Sequence, residues 1–118
     1  MGNEIDSWIS QLRKGVMEVA VLGMLSHGEM YGSQIVESLA SRPELAISAG
    51  TVYPLLSRLK RAGVIDSVWR ESPVGPPRKY YTLSQEGKQS LGAMVSAWRR
   101  VSDGIDAVLL GGEPGADS

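Results

Sequence analysis

Ser48-Ala-Gly-Thr-Val-Tyr-Pro-Leu-Leu-Ser-Arg-Leu-Lys-Arg-Ala-Gly63 decides the fold. Val52, Leu55, Leu56 and Leu59 recur at three- and four-residue steps, which predicts a helix with one buried stripe. Ser48 stands where an N-cap would, its oxygen able to accept from the free N–H groups of the first turn. Gly63 stands where a helix stops. Pro54, about one turn in, removes a helical N–H and crowds the Gly50 carbonyl, so a distorted first turn is expected, eased by the glycine. The opposite face carries Thr51, Tyr53, Ser57, Arg58, Lys60 and Arg61, with no acid among them. Arg and Lys neutralise phosphates, and Thr, Ser, Tyr and Arg reach base edges in a major groove. A helix face that is merely solvated would have the same composition.

Upstream, Met30-Tyr31-Gly32-Ser33 opens a shorter helix to about Ala40, with Ile35, Val36 and Leu39 inward, and Arg42-Pro43-Glu44 breaks it. Short helix, turn and polar-faced helix make the helix-turn-helix pattern. Downstream the period changes. Val64 to Arg70 is rich in β-branched and aromatic residues and predicts a strand. Ser72-Pro-Val-Gly-Pro-Pro77 predicts a loop, and Arg78 to Leu83 a second strand. A helix-turn-helix followed by such a hairpin is a winged helix. Its Arg78 and Lys79 suit a phosphate backbone or a minor groove; the plainer alternative is a packing hairpin with solvated cations.

The flanks predict two more helices. From Gly2 or Asn3 to Leu25 the apolar residues follow helical steps, and from Val16 onward they nearly surround the helix, which implies burial on both sides. In so short a chain the second cover is expected from another subunit. Ser84 caps the last helix, where Leu91, Met94, Trp98, Val101, Ile105 and Val108 form a heptad seam. The seam could pack on the chain's own core; its position past the wing favours a homodimer joined through the first and last helices. The expected class is therefore mostly α with a two-stranded wing (α+β). Residues 1–83 would be the winged helix-turn-helix with its N-terminal helix, 84–110 the dimerisation helix, and 111–118 a disordered tail.

Composition excludes much else. The chain has 118 residues, enough for one domain with a core. It has no Cys, which removes disulfides and thiolate metal sites and suits a cytoplasmic home. One His and no clustered carboxylates argue against a metal site, and no cofactor motif or nucleophile–base pair suggests an enzyme. The apolar run Val16–Leu25 is too short to cross a membrane, and Glu4 and Asp6 spoil it as a signal peptide. Net charge is −1, yet Ser48 to Tyr81 holds six bases against two acids. That segment carries +4 and the remainder −5, an electrostatic footprint of modest size.

Three runs together resemble the PadR family of bacterial transcriptional regulators. They are Glu29-Met-Tyr31-Gly32, then Ser48-x-Gly50-Thr51-x-Tyr53-Pro54-Leu55-Leu56-x-Arg58-Leu59 closing on Gly63, then Gly75-Pro-Pro-Arg-Lys-Tyr80-Tyr81-x-Leu83 closing on Gly87. The single closing helix resembles the short subfamily, which dimerises through its terminal helices. The resemblance implies a homodimeric, ligand-responsive repressor, with the helix after Ser48 of each subunit in a major groove of a palindromic duplex DNA operator. Ser48, Thr51, Tyr53, Ser57 and Arg58 are then the candidates for reading or positioning. Lys60, Arg61, Arg78 and Lys79 are phosphate candidates, and Tyr31 a backbone contact. Trp98 also matches, in a lactococcal multidrug-binding member, a tryptophan that pairs across the two-fold axis to sandwich planar aromatic drugs. Val95, Ser102, Glu18 and Val19 would neighbour it on helical steps, with Trp8 a further candidate. The chain departs from that member at many pocket-side positions. A winged-helix module that binds protein and not DNA is the alternative function.

Overall fold

The structure, a computed structural model, describes residues 17–45 and 47–111. Its elements run α1 (Met17–Leu25), β1 (Met30–Tyr31), α2 (Gly32–Ala40), a 3-10 turn (Pro43–Leu45), α3 (Ala49–Arg61), β2 (Ile65–Ser72), β3 (Gly75–Leu83) and α4 (Gln85–Leu109). The expected helix upstream of Met17, with Trp8, and the expected tail after Gly111 lie outside the described residues.

The core is built where the stripes meet. Val52, Leu55, Leu56 and Leu59 of α3 are all buried, against Val21, Leu22 and Leu25 of α1, Ile35 and Leu39 of α2, and Ile65 of β2. Ile47, just before α3, is buried too, and Leu45 and Val36 are half-buried at the edge of the same cluster. α3 ends as its sequence predicts. The Gly63 N–H donates to the Lys60 carbonyl at 3.0 Å and the Val64 N–H to the Leu59 carbonyl at 3.2 Å, with Gly63 at φ +81°. This is the Schellman stop, whose left-handed residue favours glycine.

Several expectations need correction. Ser48 occupies the N-cap position, but its hydroxyl makes no capping bond; it faces the Thr51 hydroxyl at 3.2 Å instead. The first turn is closed by the Ser48 carbonyl, which accepts from the Thr51 and Val52 N–H groups. Pro54 lies inside α3, which runs from Ala49 to Arg61 around it; the expected distortion of the first turn is a separate matter from this continuity. The Gly50 carbonyl that loses a donor to Pro54 lies on an exposed residue, open to solvent.

Met30 and Tyr31 do not open the second helix. They form a short strand pairing with Tyr81 and Tyr80, so the wing belongs to a three-stranded antiparallel sheet of order β1-β3-β2. The Tyr31 N–H then donates to the Gln34 side-chain oxygen at 3.1 Å, and α2 starts one residue later. The proline-rich stretch is also shorter as a loop than expected. β2 continues to Ser72, and β3 begins at Gly75 with Pro76 and Pro77 inside it. The register shifts between Arg70 and Ser72, so the two prolines bulge opposite Glu71. Away from Tyr80 and Tyr81, toward its start, β3 has only β2 beside it, and such an edge tolerates residues that cannot donate.

α4 is locked to the body at its first turn. Ser84 is buried; its hydroxyl accepts from the Gly87 N–H at 3.0 Å and donates to the Gly63 carbonyl at 2.6 Å. A Cβ at Gly87 would collide with the Val64 carbonyl oxygen, so only glycine lets the helix start this close to the strand. Leu91 and Met94 pack on the core cluster. Past them the seam leaves the body: Trp98, Val101, Ile105 and Val108 are 53–66 % exposed. The alternative of a stripe packed on its own core therefore holds only for the first turns of α4. On α1, Met17, Val19, Ala20 and Met24 are half-buried, so the second side of that helix is incompletely covered.

Candidate nucleic-acid interface

Burying the α3 stripe turns Tyr53, Ser57, Lys60 and Arg61 outward, and all are exposed. The sheet then stands beside this face. On one side of the hairpin, alternation and pairing put Ile65 with Leu83, Ser67 with Tyr81, and Trp69 with Lys79. Ile65 and Tyr81 at the root are buried, while Trp69 farther out is 65 % exposed. Two open hollows result. One, of about 310 Å³, is lined by Tyr31, Ser33, Tyr53, Trp69, Arg78 and Lys79, among others. The other, of about 350 Å³, lies between Ser57, Lys60 and Arg61 of α3 and Lys79 and Tyr81 of β3. Three cations thus converge on the second hollow with no acid in its lining.

Tyrosines organise the charges. The Arg78 guanidinium lies 4.3 Å from the centre of the Tyr31 ring, which meets the Tyr80 ring edge-on at 5.4 Å. Arg70 lies 5.7 Å from the Tyr80 ring and makes an ion pair with Glu29 at 3.0 Å. Arg70 and Arg78 are direct partners across the strands, a like-charge pairing that costs stability unless each is otherwise held. The rings and Glu29 supply that hold. Lys79 sits 5.8 Å from the Tyr81 ring. Burial raises the Tyr81 phenol above its ordinary pKa, and the nearby Tyr53 phenol adds to the rise. Tyr81 therefore stays a neutral hydrogen-bonding group beside Lys79. Gly32 gives Tyr53 its place, since a Cβ there would come within 2.8 Å of the Tyr53 ring.

The expected DNA candidates thus divide. Tyr31, Tyr53, Ser57, Lys60, Arg61, Arg78 and Lys79 line the two hollows. Ser48 and Thr51 are exposed at the start of α3, their hydroxyls facing each other. Arg58 points elsewhere: its guanidinium makes an ion pair with Glu18 of α1 at 2.5 Å. That pairing joins a DNA candidate to a ligand candidate, a link across 40 residues of sequence.

The ligand candidates are less concentrated. Val19 and Val95 line one hollow of about 420 Å³ between α1, α2 and α4. Val95 also lines a second, of about 720 Å³, between α1, the root of the sheet and α4. Trp98 lies about one turn beyond and lines neither; Ser102 is half-buried a turn farther on. Among the described residues no acid, histidine or cysteine cluster has the makings of a metal site, and no helix is long and apolar enough to cross a membrane.

Sequence reasoning does not single out Trp69. A tryptophan in an alternating strand, on the face of Ile65, suggests a core residue. The signal against that is its distance from the α3 stripe, since the strand outruns the body it packs on.

Known proteins share this architecture. The chain is similar to a PadR family transcriptional regulator from Eggerthella lenta, 33 % identical, with a TM-score of 0.81 over 92 % of this chain and 94 % of that one. It is similar to a Streptococcus transcriptional regulator at 37 % identity, TM-score 0.75, over 83 % and 96 %. The Bacillus subtilis PadR, solved with operator DNA, is 29 % identical with a TM-score of 0.61, over 68 % of this chain and 45 % of that one. The family model for the PadR-like transcriptional regulators matches residues 21–93, which span α2, α3, the whole sheet and the first turns of α4. The chain belongs to the PadR-like family of transcriptional regulators.

Proposed function

We propose that the chain acts as a sequence-specific, homodimeric DNA-binding repressor inside the cell, answering to a small molecule. The observation that carries the DNA reading is the convergence of Lys60 and Arg61 of α3 with Lys79 of the wing on one open, acid-free hollow. Such a trough fits a phosphodiester strand, with α3 in the major groove and the wing along the backbone. The operator complex of the Bacillus subtilis relative supports the same partner. A dimer would set two copies of α3 on one face of the duplex, about 34 Å apart, which calls for a palindromic site. The exposed seam of α4 and the half-covered α1 support that dimer.

The test is a titration against the region upstream of the chain's own gene, with a scrambled duplex as competitor, at several salt concentrations. Binding should prefer the native duplex and weaken steeply with salt. Replacing Lys60 and Arg61 together by Ala should lower the salt slope by about 1.8, roughly 0.9 for each phosphate that is no longer neutralised. A chain with no duplex preference and no salt dependence would be a protein-binding winged helix instead.

The ligand reading is a planar aromatic molecule at the dimer interface. It is supported by the exposed Trp98 and by Val19 and Val95 lining one hollow. Glu18 is the weakest member of the set, because Arg58 already holds its carboxylate. A ligand that prefers a subunit spacing unsuited to DNA must, by linkage, weaken operator binding. Binding of planar dyes, read from the dye's own signal and lost in Trp98→Ala but not in Trp69→Ala, checks this.

A further inference from the structure

Both tryptophans among the described residues are exposed, and they stand in different surroundings. Trp98 belongs to the apolar seam of α4. Trp69 lies on β2 and is 65 % exposed. Its direct cross-strand partner is Lys79, and it shares a hollow with Tyr53 of α3 and with Tyr31 and Arg78. A single exposed apolar side chain is ordinary on a protein surface; Trp69 differs in lining a hollow with Tyr31, Tyr53 and Tyr81, an aromatic site that a partner can cover. The cover has to suit cations as well, because Lys79 and Arg78 rim the same hollow. A nucleic acid backbone has that alternation, with phosphates for the cations and a deoxyribose between them that presents C–H groups to a flat ring.

We infer that Trp69 is a DNA-contacting residue, packing its indole on the sugar of the backbone strand that the cations of α3 and the wing hold. The inference rests on the DNA-binding reading and deepens it. The contact is blind to sequence, because every nucleotide carries the same sugar. It is also blind to salt, because no charge is involved and no counterion is released. These two properties separate Trp69 from its neighbours: a phosphate cation changes the salt slope, and a base reader changes only the preferred site.

The test compares wild type, Trp69→Ala, Trp69→Phe and Lys79→Ala. Each is titrated between about 50 and 200 mM salt against the upstream duplex and a mixed-sequence duplex of the same length. Trp69→Ala should weaken binding to both duplexes by the same factor, about tenfold, as for the loss of a modest apolar contact area between a ring and a sugar. Its salt slope should match wild type, its melting temperature should be unchanged, and Trp69→Phe should recover most of the affinity. Lys79→Ala should instead flatten the slope by about 0.9. Unchanged affinity in Trp69→Ala overturns the inference and leaves the DNA reading intact. A loss confined to the upstream duplex, or a flattened slope, also overturns it. If the wild-type chain binds neither duplex, the DNA reading fails first and this inference with it.

Discussion

α3 and α4 carry the same kind of sequence signal and meet opposite fates. Each has apolar residues at three- and four-residue steps. The stripe of α3 is buried, every member at 4 % exposure or less; the distal stripe of α4 stands more than half exposed. A periodic stripe therefore states that a helix will be covered without naming the cover. For α3 the cover is α1, α2 and β2. For α4 past Met94 no described part of the same chain buries it. Burying the part of Trp98, Val101, Ile105 and Val108 that is still exposed, a little over half of each, would yield about 1–2 kcal/mol each. The total is comparable with the whole stability of a small domain, which favours a second copy as the cover.

Two substitutions of similar size sharpen the contrast. Leu56→Ala empties a fully buried site and should cost about 2–5 kcal/mol of unfolding free energy, measured in denaturant. Ile105→Asp should leave the fold of each subunit intact by circular dichroism and raise the dimer dissociation constant at least a hundredfold. This loss, about 2.7 kcal/mol, is of hot-spot size. Sedimentation over a range of concentrations reads it. If Ile105→Asp sediments like wild type, the two helices do not differ in the way proposed and the seam has another cover.

What the sequence discloses follows the same division. The α3 stripe, its Gly63 stop and the wing after it are legible because each is a local pattern with one physical solution. β1 is not, because two residues have no period; Met30 and Tyr31 become a strand only when Tyr80 and Tyr81 arrive beside them. Pro76 and Pro77 read as loop and stand in a strand, because proline is excluded from a strand paired on both sides and not from an edge. The edge is a property of the sheet. At the candidate interface, the cations can be read from their spacing along α3 and β3. Trp69 cannot, since its exposure depends on where the hairpin outruns the body. The direction of Arg58 cannot either, since it is set by Glu18 on another helix.

That last pair gives the smallest expected effect and the most informative one for α3. Arg58 and Glu18 are 58 % and 34 % exposed at their side chains, so solvent screens the attraction. Glu18→Gln should change unfolding free energy by less than about 1 kcal/mol, as for other exposed pairs. Its effect on DNA should be larger than its effect on the fold. With the carboxylate gone, Arg58 loses the acid that competes with phosphate for its guanidinium, and one negative charge leaves the side of α3, the helix proposed to enter the major groove. Duplex affinity should rise a few-fold at low salt, and the gain should shrink as salt screens the lost charge. If affinity falls instead, Glu18 holds Arg58 in the orientation that DNA needs. α1 would then be part of the recognition apparatus, and a ligand acting on α1 could reach the operator through a single side chain.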